Sequence, residues 1–204
     1  SWKENYPPQP VGEKLLVLPY WDAENITDNR LPIILDPGLT FGTGAHPSTQ
    51  MVMEVMERTV KPGMHCLDLG SGSGILSIAA LRLGAESATG VDIDPKAEDI
   101  ARENSAYNGF SSPAFTALTG NVLQDKDLMN TLSGKHYDVV LVNIVADVII
   151  GLAPVLPTFF FLICKDYIFG HTTFKTCSNG RCSTMCGFNH IASKIIISHK
   201  SATN

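Results

Sequence analysis

The stretch Cys66-Leu-Asp-Leu-Gly-Ser-Gly-Ser-Gly74 says more about the fold of this chain than any other part of it. A short apolar run leads directly into three alternating glycines, and a helix-forming run follows at once. Because glycine has no Cβ, the backbone at Gly70, Gly72 and Gly74 can turn sharply and touch a ligand. The next apolar run ends at Asp92, 18 residues after Gly74, where a doubly wound fold places the carboxylate that holds a ribose. The pattern predicts a site for a nucleoside-containing cofactor.

The spacing of the glycines and the charge beside them distinguish between cofactors. The dinucleotide fingerprint Gly-x-Gly-x-x-Gly leaves room for a pyrophosphate. This chain has Gly-x-Gly-x-Gly, and Asp68 stands two residues before the first glycine. A carboxylate there repels a pyrophosphate but suits a positively charged ligand. S-adenosylmethionine carries a sulfonium and an ammonium group and no phosphate, so the loop favours this cofactor over the alternative of an ordinary tight turn.

Strand-like apolar runs alternate with helix-forming runs from the glycine motif onward. Strands are expected at residues 65–69, 87–91, 115–118 and 137–142, and helices at 51–60, 75–83, 96–107, 126–132 and from about 146 to 155. This alternation predicts a doubly wound, Rossmann-like α/β fold with a parallel sheet and helices on both faces. Two β-prone stretches, residues 14–21 and 31–35, surround a polar turn and predict a short N-terminal β-hairpin before it.

Polar residues follow several of the predicted strands, at the edge where parallel sheets bind ligands. Asp92 can accept hydrogen bonds from both ribose hydroxyls, whereas Asp94 suits a helix cap. Ile93 either lies against the adenine face or is simply an exposed apolar neighbour. Asn121 either contacts the adenine edge or is an ordinary turn asparagine.

Asn143 ends a buried strand with a polar amide, which is costly unless the group is hydrogen-bonded or used. Its carbonyl oxygen can accept a hydrogen bond from a substrate amine, and this predicts a catalytic role. A helix cap is an equally compatible role. A neutral amide cannot remove a proton, so the amine must arrive neutral.

The loop before the first helix has unusual content. Phe41 is a large apolar side chain among glycines and can cover the cofactor, with Gly42 and Gly44 as hinges. His46 precedes Pro47 near a helix start, where histidine is most often a structural hydrogen-bonding residue and less often a catalytic one.

Composition restricts the classes of protein and partner. The chain has 204 residues, 44% of them hydrophobic, which is enough for one domain with its own core. The net charge of −5 argues against direct contact with nucleic acid. No apolar run is long enough to cross a membrane, and the absence of a signal-peptide pattern leads us to expect a cytoplasmic protein. The five cysteines are an odd number, and a disulfide framework is not expected.

The chain resembles the ribosomal protein L11 methyltransferase family, which are class I S-adenosylmethionine-dependent enzymes. The resemblance rests on Asp36-Pro-Gly-Leu-Thr-Phe-Gly-Thr-Gly-Ala-His-Pro-Ser-Thr49, on the glycine motif, on Gly90-Val-Asp-Ile-Asp-Pro95 and on Asn143-Ile-Val-Ala146. It extends from residue 2 to about 157. The segment with Phe-Gly-Thr-Gly-x-His-Pro is the most specific of these motifs.

The resemblance implies a function and a division into domains. It implies methylation of lysine or N-terminal amines on a large-subunit ribosomal protein, with Phe41, Gly42 and Thr43 closing over the cofactor. Residues 1–13 are then a linker and residues 14–204 the catalytic domain, without the substrate-recognition domain that the family carries upstream. The match fades over residues 159–204, where Phe159–Cys164 and Ile195–Ser198 are the stretches that can still form strands.

Three alternatives stay open. The substrate amine can belong to a nucleobase or small molecule, or the domain can bind the cofactor without catalysis. In the divergent tail a zinc site is conceivable from three cysteines and a histidine (Cys177, Cys182, Cys186 and His190), but their spacing matches no common zinc pattern, and no metal is expected.

Overall fold

The computed structural model describes residues 6–38, 44, 46–144 and 146–159, except the side chains of 146, 147 and 157, and the backbone of three strands beyond residue 170. The strands are β1 (Gln9–Val11), β2 (Leu15–Pro19), β3 (Leu31–Leu35), β4 (His65–Leu69), β5 (Ser87–Asp92), β6 (Phe115–Thr119), β7 (Val139–Asn143), β8 (His171–Ser178), β9 (Arg181–Phe188) and β10 (Lys194–Ser198). The helices are α1 (Pro47–Thr59), α2 (Ile75–Arg82), α3 (Pro95–Tyr107), α4 (Lys126–Ser133) and α5 (Ala146–Leu152). The helices and strands predicted between residues 47 and 152 are confirmed, with boundaries shifted by a few residues.

The main sheet has the order β10-β7-β4-β5-β6. Strands β4 to β7 are parallel, and β10 joins the edge antiparallel to β7. The chain runs outward from β4 through β5 to β6 and then returns to place β7 on the other side of β4. The strand order therefore reverses between β4 and β7, the position where doubly wound sheets bind their ligands.

Both faces of the sheet are covered, as predicted. Successive residues of β7 point to opposite sides, so Leu141 packs into the core formed with α1, α2 and α3, and Val140 packs into the core formed with α4 and α5. Because neither face meets water, these strands can be apolar throughout. The doubly wound fold is confirmed.

The helix starts follow from local sequence. Asp94 accepts a hydrogen bond from the backbone N–H of Lys96 at 3.0 Å and so caps α3, as predicted, with Pro95 in the first helical position. Asp125 caps α4 in the same way. His46 accepts a hydrogen bond from the N–H of Ser48 at 3.3 Å and caps α1, which is a structural role. In the described part of the chain, no helix combines the length and apolarity needed to span a bilayer.

The N-terminal hairpin is present but is built differently from the prediction. Its two strands are β1 and β2, which pair antiparallel, and β3 then pairs parallel to β2. A parallel pair needs a crossover between its strands, and residues 20–30 supply it through a 3-10 turn at Tyr20–Asp22. Strand β1 lies within the expected linker, and its Val11 is buried.

A buried carboxylate fastens this hairpin to α1. Glu57 accepts hydrogen bonds from the backbone N–H groups of Glu13 at 3.0 Å and Lys14 at 2.8 Å. Gly12 has a φ of +57°, and a Cβ there would lie 2.6 Å from the Glu57 carboxylate. The turn between β1 and β2 is therefore held by the last turn of α1.

Three strands follow residue 170. Strands β8 and β9 form an antiparallel pair, and β10 confirms the strand expected near residue 195. The side chains considered for a zinc site lie outside the described residues. Of the strand expected over Phe159–Cys164, only Phe159 is described, and it ends a 3-10 turn over Leu156–Phe159.

Candidate functional site

A cleft of about 360 Å³ opens at the carboxyl ends of β4 to β7, beside the reversal of strand order. Its walls are mostly aliphatic, with one carboxylate and one side-chain amide among them. The lining residues are Leu69, Gly70, Val91, Asp92, Ile93, Gly120, Asn121, Val122, Leu123, Ile144, Val148 and Leu152. Its size and apolar character are typical of small-molecule sites.

The glycine loop between β4 and α2 forms one wall of this cleft. Gly70, Gly72 and Gly74 have φ values of +78°, +51° and +78°, a region that side-chain-bearing residues rarely adopt. Its amides are used inside the protein: Gly70 and Ser71 donate to Val91 O at 2.8 and 3.1 Å, and Gly74 donates to Ser71 O at 2.8 Å. These N–H groups are therefore not presented to a phosphate, which agrees with the prediction against a dinucleotide.

Two of these glycines are also required by close packing. A Cβ at Gly70 would overlap Ile144 Cγ2, so the residue after β7 lies directly against the loop after β4. A Cβ at Gly74 would lie 3.1 Å from the Cβ of Ala101, where α2 begins against α3. The glycines thus serve the protein's own packing as well as any ligand.

Asp92 connects the glycine loop to the end of β5. Its Oδ2 accepts a hydrogen bond from the N–H of Gly72 at 2.9 Å, and its Oδ1 accepts one from the N–H of Asp94 at 3.0 Å. Each carboxylate oxygen has two lone pairs, so each can accept a second hydrogen bond. The carboxylate is half-buried and lines the cleft, and the two amides hold it in a fixed orientation.

The two residues expected beside the adenine also line the cleft. Ile93 has 72% of its surface exposed, so an apolar side chain stands at the opening. Asn121 accepts a hydrogen bond from the N–H of Leu123 at 3.0 Å, which is the role of a turn asparagine. Its side-chain amide nitrogen can still donate toward a ligand.

Asp68 lies beneath the glycine loop, outside the cleft lining. It is 1% exposed, and Ser77 donates a hydrogen bond to its Oδ2 at 2.9 Å. Its Oδ1 has no hydrogen-bond partner among the described residues. Burial raises the pKa of Asp68 to about 7, the Ser77 hydroxyl offsets part of that rise, and the charge of Asp92 adds to it. Its predicted contact with a cationic ligand stays a prediction.

Asn143 ends β7 and is held by a residue that sequence reasoning missed. Its Nδ2 donates a hydrogen bond to Oγ1 of Thr49 at 3.2 Å. Thr49 is buried in the first turn of α1, where its own N–H donates to His46 O at 2.9 Å. In this arrangement the nitrogen of the amide faces α1, and Oδ1 is left as an acceptor. The two partners are 94 positions apart in the chain, and no local sequence pattern indicates their pairing.

The structure thus brings together most of the predicted site. Gly70, Asp92, Ile93 and Asn121 share the cleft lining. Asp68 and Asn143 lie next to that lining in the chain, and Gly72 bonds to it through Asp92. Gly74 ends the same glycine loop and, among the described residues, has no hydrogen bond to the lining. Three more, Phe41, Gly42 and Thr43, lie outside the described residues, and their roles stay predictions.

Known proteins share the sequence features of this chain. The family described as Ribosomal protein L11 methyltransferase (PrmA) matches residues 1–160. The chain belongs to this family. The resemblance inferred from the motifs is therefore confirmed.

Curated members of the ribosomal protein L11 methyltransferase family are close in sequence. One from Caldanaerobacter subterraneus subsp. tengcongensis is 44% identical over 158 residues, which cover 77% of this chain and 48% of that protein. One from Prochlorococcus marinus is 38% identical over 168 residues, covering 82% of this chain and 53% of that protein. The chain spans about half the length of the curated relatives it matches.

A solved structure has the same fold. The crystal structure of the ribosomal protein L11 methylase from Lactobacillus delbrueckii subsp. bulgaricus aligns with a TM-score of 0.60. The alignment covers 96% of this chain and all of that one at 24% identity. At this identity the likeness supports the Rossmann-like fold alone.

Proposed function

We propose that this chain is the catalytic part of an S-adenosylmethionine-dependent N-methyltransferase that modifies lysine or N-terminal amines of ribosomal protein L11, a large-subunit protein. The observation that carries the proposal is the amide of Asn143, held by Thr49 at the reversal of strand order. Family membership supports the choice of substrate, and the net charge of −5 favours a protein over nucleic acid. A ribosomal protein substrate also supports a cytoplasmic location.

The residues of the cleft fit S-adenosylmethionine. The fixed Asp92 carboxylate suits vicinal ribose hydroxyls, and the aliphatic walls near Ile93 suit a flat adenine ring. The loop amides of Gly70, Gly72 and Gly74 are already bonded, so the site lacks the anion cradle that a pyrophosphate needs. When bound, this cofactor supplies an electrophilic methyl group on a positively charged sulfur.

Asn143 would orient the substrate amine. Its Oδ1 can accept a hydrogen bond from an amine N–H, which fixes the direction of the nitrogen lone pair and so contributes through positioning. An amide cannot serve as a base, so the amine must already be neutral. For a lysine with an ordinary pKa this costs roughly 4–5 kcal/mol at pH 7, and less for an N-terminal amine. A desolvated site lowers the cost because it disfavours the charged amine.

Cofactor binding is tested by calorimetry with S-adenosylmethionine on the wild-type chain and two variants. Asp92→Asn keeps the size of the side chain but removes its charge, and it should weaken binding by about tenfold or more. Asp94→Asn changes the exposed neighbour that caps α3 and should alter affinity by less than about threefold. Failure of the wild-type chain to bind the cofactor would refute the proposal.

Methyl transfer is tested with labelled cofactor and purified ribosomal protein L11, followed by mass spectrometry of the product. Label on a lysine or the N-terminal amine of L11 is the expected result. Binding without transfer to L11 would instead support a non-catalytic cofactor-binding module. Transfer to nucleosides or small amines, with none to L11, would identify a different substrate class.

A further inference from the structure

Helix α3 carries two buried asparagines one turn apart, and neither belongs to the cleft lining. Asn104 is fully buried and Asn108 is 4% exposed. A buried side-chain amide is costly unless its donors and acceptor are all used. Each amide makes several hydrogen bonds, but the two connect different parts of the fold.

Asn104 joins the glycine loop to the segment after β3. Its Nδ2 donates to the backbone carbonyl of Ser73, which lies between the second and third glycines, at 2.9 Å. Its Oδ1 accepts from the backbone N–H of Asp36 at 2.9 Å. Asp36 directly follows β3 and begins the segment that contains Phe41. One amide therefore bridges two chain segments, one of which forms a wall of the cleft.

Asn108 fastens β3 to the same helix but does not reach the glycine loop. It accepts from the N–H of Ile34 at 2.9 Å and donates to the carbonyl of Ile34 at 2.7 Å. It also donates to the backbone carbonyl of Asn104 at 2.7 Å and accepts from Arg82 at 3.2 Å. The end of β3 is thus fixed on α3 independently of Asn104.

The chemistry at position 104 requires an amide. The side chain must donate to the carbonyl of Ser73 and accept from the amide of Asp36 at the same time. An ionised aspartate accepts hydrogen bonds only and would repel the Ser73 carbonyl, and a serine hydroxyl is too short to span both partners. Asparagine supplies one donor and one acceptor on a planar group of the right length.

We propose that Asn104 is a positioning residue that sets the distance between the glycine loop and Asp36 at the end of β3. It thereby controls cofactor affinity without touching the cofactor or the substrate. This inference rests on the proposed function, since it assigns the loop's geometry to cofactor binding.

The test compares Asn104→Asp with Asn108→Asp, because both introduce a buried carboxylate on the same helix. For each variant we would measure the melting temperature, the Kd and KM for S-adenosylmethionine, and kcat at saturating cofactor. Asn104→Asp should raise Kd and KM by about tenfold, with kcat changed by less than about threefold. Asn108→Asp should lower the melting temperature similarly but leave Kd within about threefold of wild type.

A second variant and a second measurement complete the test. Asn104→Ser replaces the aspartate variant if that variant does not fold, and the same rise in Kd is expected. Hydrogen exchange at the amides of Gly72 and Gly74 should speed up in Asn104 variants and not in Asn108→Asp. Equal effects of the two positions on Kd and on exchange would overturn the inference. If the wild-type chain does not bind S-adenosylmethionine, the proposed function fails. The hydrogen-exchange rates of Gly72 and Gly74 still show in that case whether Asn104 holds the glycine loop.

Discussion

Asn143 and Thr49 are 94 residues apart in the chain, yet the amide nitrogen of one donates to the hydroxyl of the other at 3.2 Å. The bond joins the end of β7 to the first turn of α1. An asparagine amide can rotate by half a turn and exchange its donor and acceptor ends. With the nitrogen of Asn143 bonded to the threonine hydroxyl, the amide oxygen is left as the acceptor that the proposed function assigns to an incoming amine.

Thr49→Val should slow methyl transfer without weakening cofactor binding. Valine has the shape of threonine but cannot accept the hydrogen bond, so the orientation of Asn143 is lost at small cost in packing. The expected loss in kcat is about tenfold, equivalent to one hydrogen bond of about 1.4 kcal/mol. Asn143→Ala should reduce kcat further while leaving the Kd for S-adenosylmethionine nearly unchanged.

Thr49→Ser is the matched control for this prediction. It keeps the hydroxyl and should keep kcat within about threefold of wild type. Wild-type turnover in Thr49→Val, or a parallel fall in cofactor affinity in Asn143→Ala, would contradict the assigned role of the amide.

Asp68 should make stability depend on pH. Burial raises its pKa in the folded protein to about 7, so the folded state binds its proton more tightly than the unfolded state does. This proton binding adds most to the free energy of unfolding below about pH 4. The added stability, up to roughly 4 kcal/mol, is lost as the pH rises through about 7. Asp68→Asn removes this titration and keeps the size of the side chain.

Urea unfolding at pH 5, 6, 7 and 8 checks this prediction. The free energy of unfolding of the wild-type chain should fall relative to that of Asp68→Asn between pH 5 and 7 and run parallel to it above about pH 7. Curves that stay parallel across the whole range would show that Asp68 is ionised throughout.

Gly70→Ala should be more destabilising than its backbone conformation alone explains. Alanine at a φ of +78° costs about 1–2 kcal/mol, and the added Cβ would also overlap Ile144 Cγ2. Gly63→Ala is the matched control, since Gly63 has a φ of +81° and a Cβ added there would meet no heavy atom of the described residues within 4 Å.

A double-mutant cycle separates these two costs. In the double variant Gly70→Ala with Ile144→Ala, the stability lost to the atomic overlap should be recovered, whereas the stability lost to alanine at a positive φ should not. Thermal unfolding should then give Gly70→Ala a larger loss than Gly63→Ala, and a positive coupling with Ile144. Equal losses for the two glycine variants would mean that Ile144 moves away without cost.

Glu57→Gln should lower the melting temperature by several degrees. The change removes the charge from the carboxylate that accepts hydrogen bonds from Glu13 and Lys14, and it places an NH₂ group against one of those donors. Charge-assisted bonds of this kind contribute about 1.5–3 kcal/mol. Glu54→Gln, at an exposed position of the same helix, should leave the melting temperature within about 1 °C. Differential scanning calorimetry of the wild-type chain and the two variants measures these melting temperatures. Equal melting temperatures for the two variants would contradict the role of Glu57.

Much of the fold, and the shared location of several candidate site residues, could be predicted from local sequence. The glycines after β4 and the aspartate after β5 mark strand ends, and strand ends of a parallel sheet necessarily share an edge. Asp94 and Pro95 mark a helix start by chemistry that acts within a few residues. The positions of these residues at the sheet edge and at the helix start are confirmed, and their roles toward a ligand stay predictions.

Long-range pairings were not predictable in the same way. The sequence of β2 and β3 suits either direction of pairing, and the parallel arrangement follows from the 3-10 crossover at Tyr20–Asp22. The bond from Asn143 to Thr49 and the bridge made by Asn104 depend on how separate elements pack. Local sequence patterns do not indicate such contacts, because each partner is a common residue type for the helix or strand that contains it.

The contacts of helix α1 have one further consequence, for how far the chain can be shortened. Its first turn supports Asn143 through Thr49, and its last turn receives the backbone of Glu13 and Lys14 on Glu57. Removing the chain up to and including Lys14 would leave the buried carboxylate of Glu57 without these two donors, at the opposite end of the helix that bonds Asn143. A minimal fragment for crystallisation or for grafting onto another recognition module should therefore begin no later than Gln9.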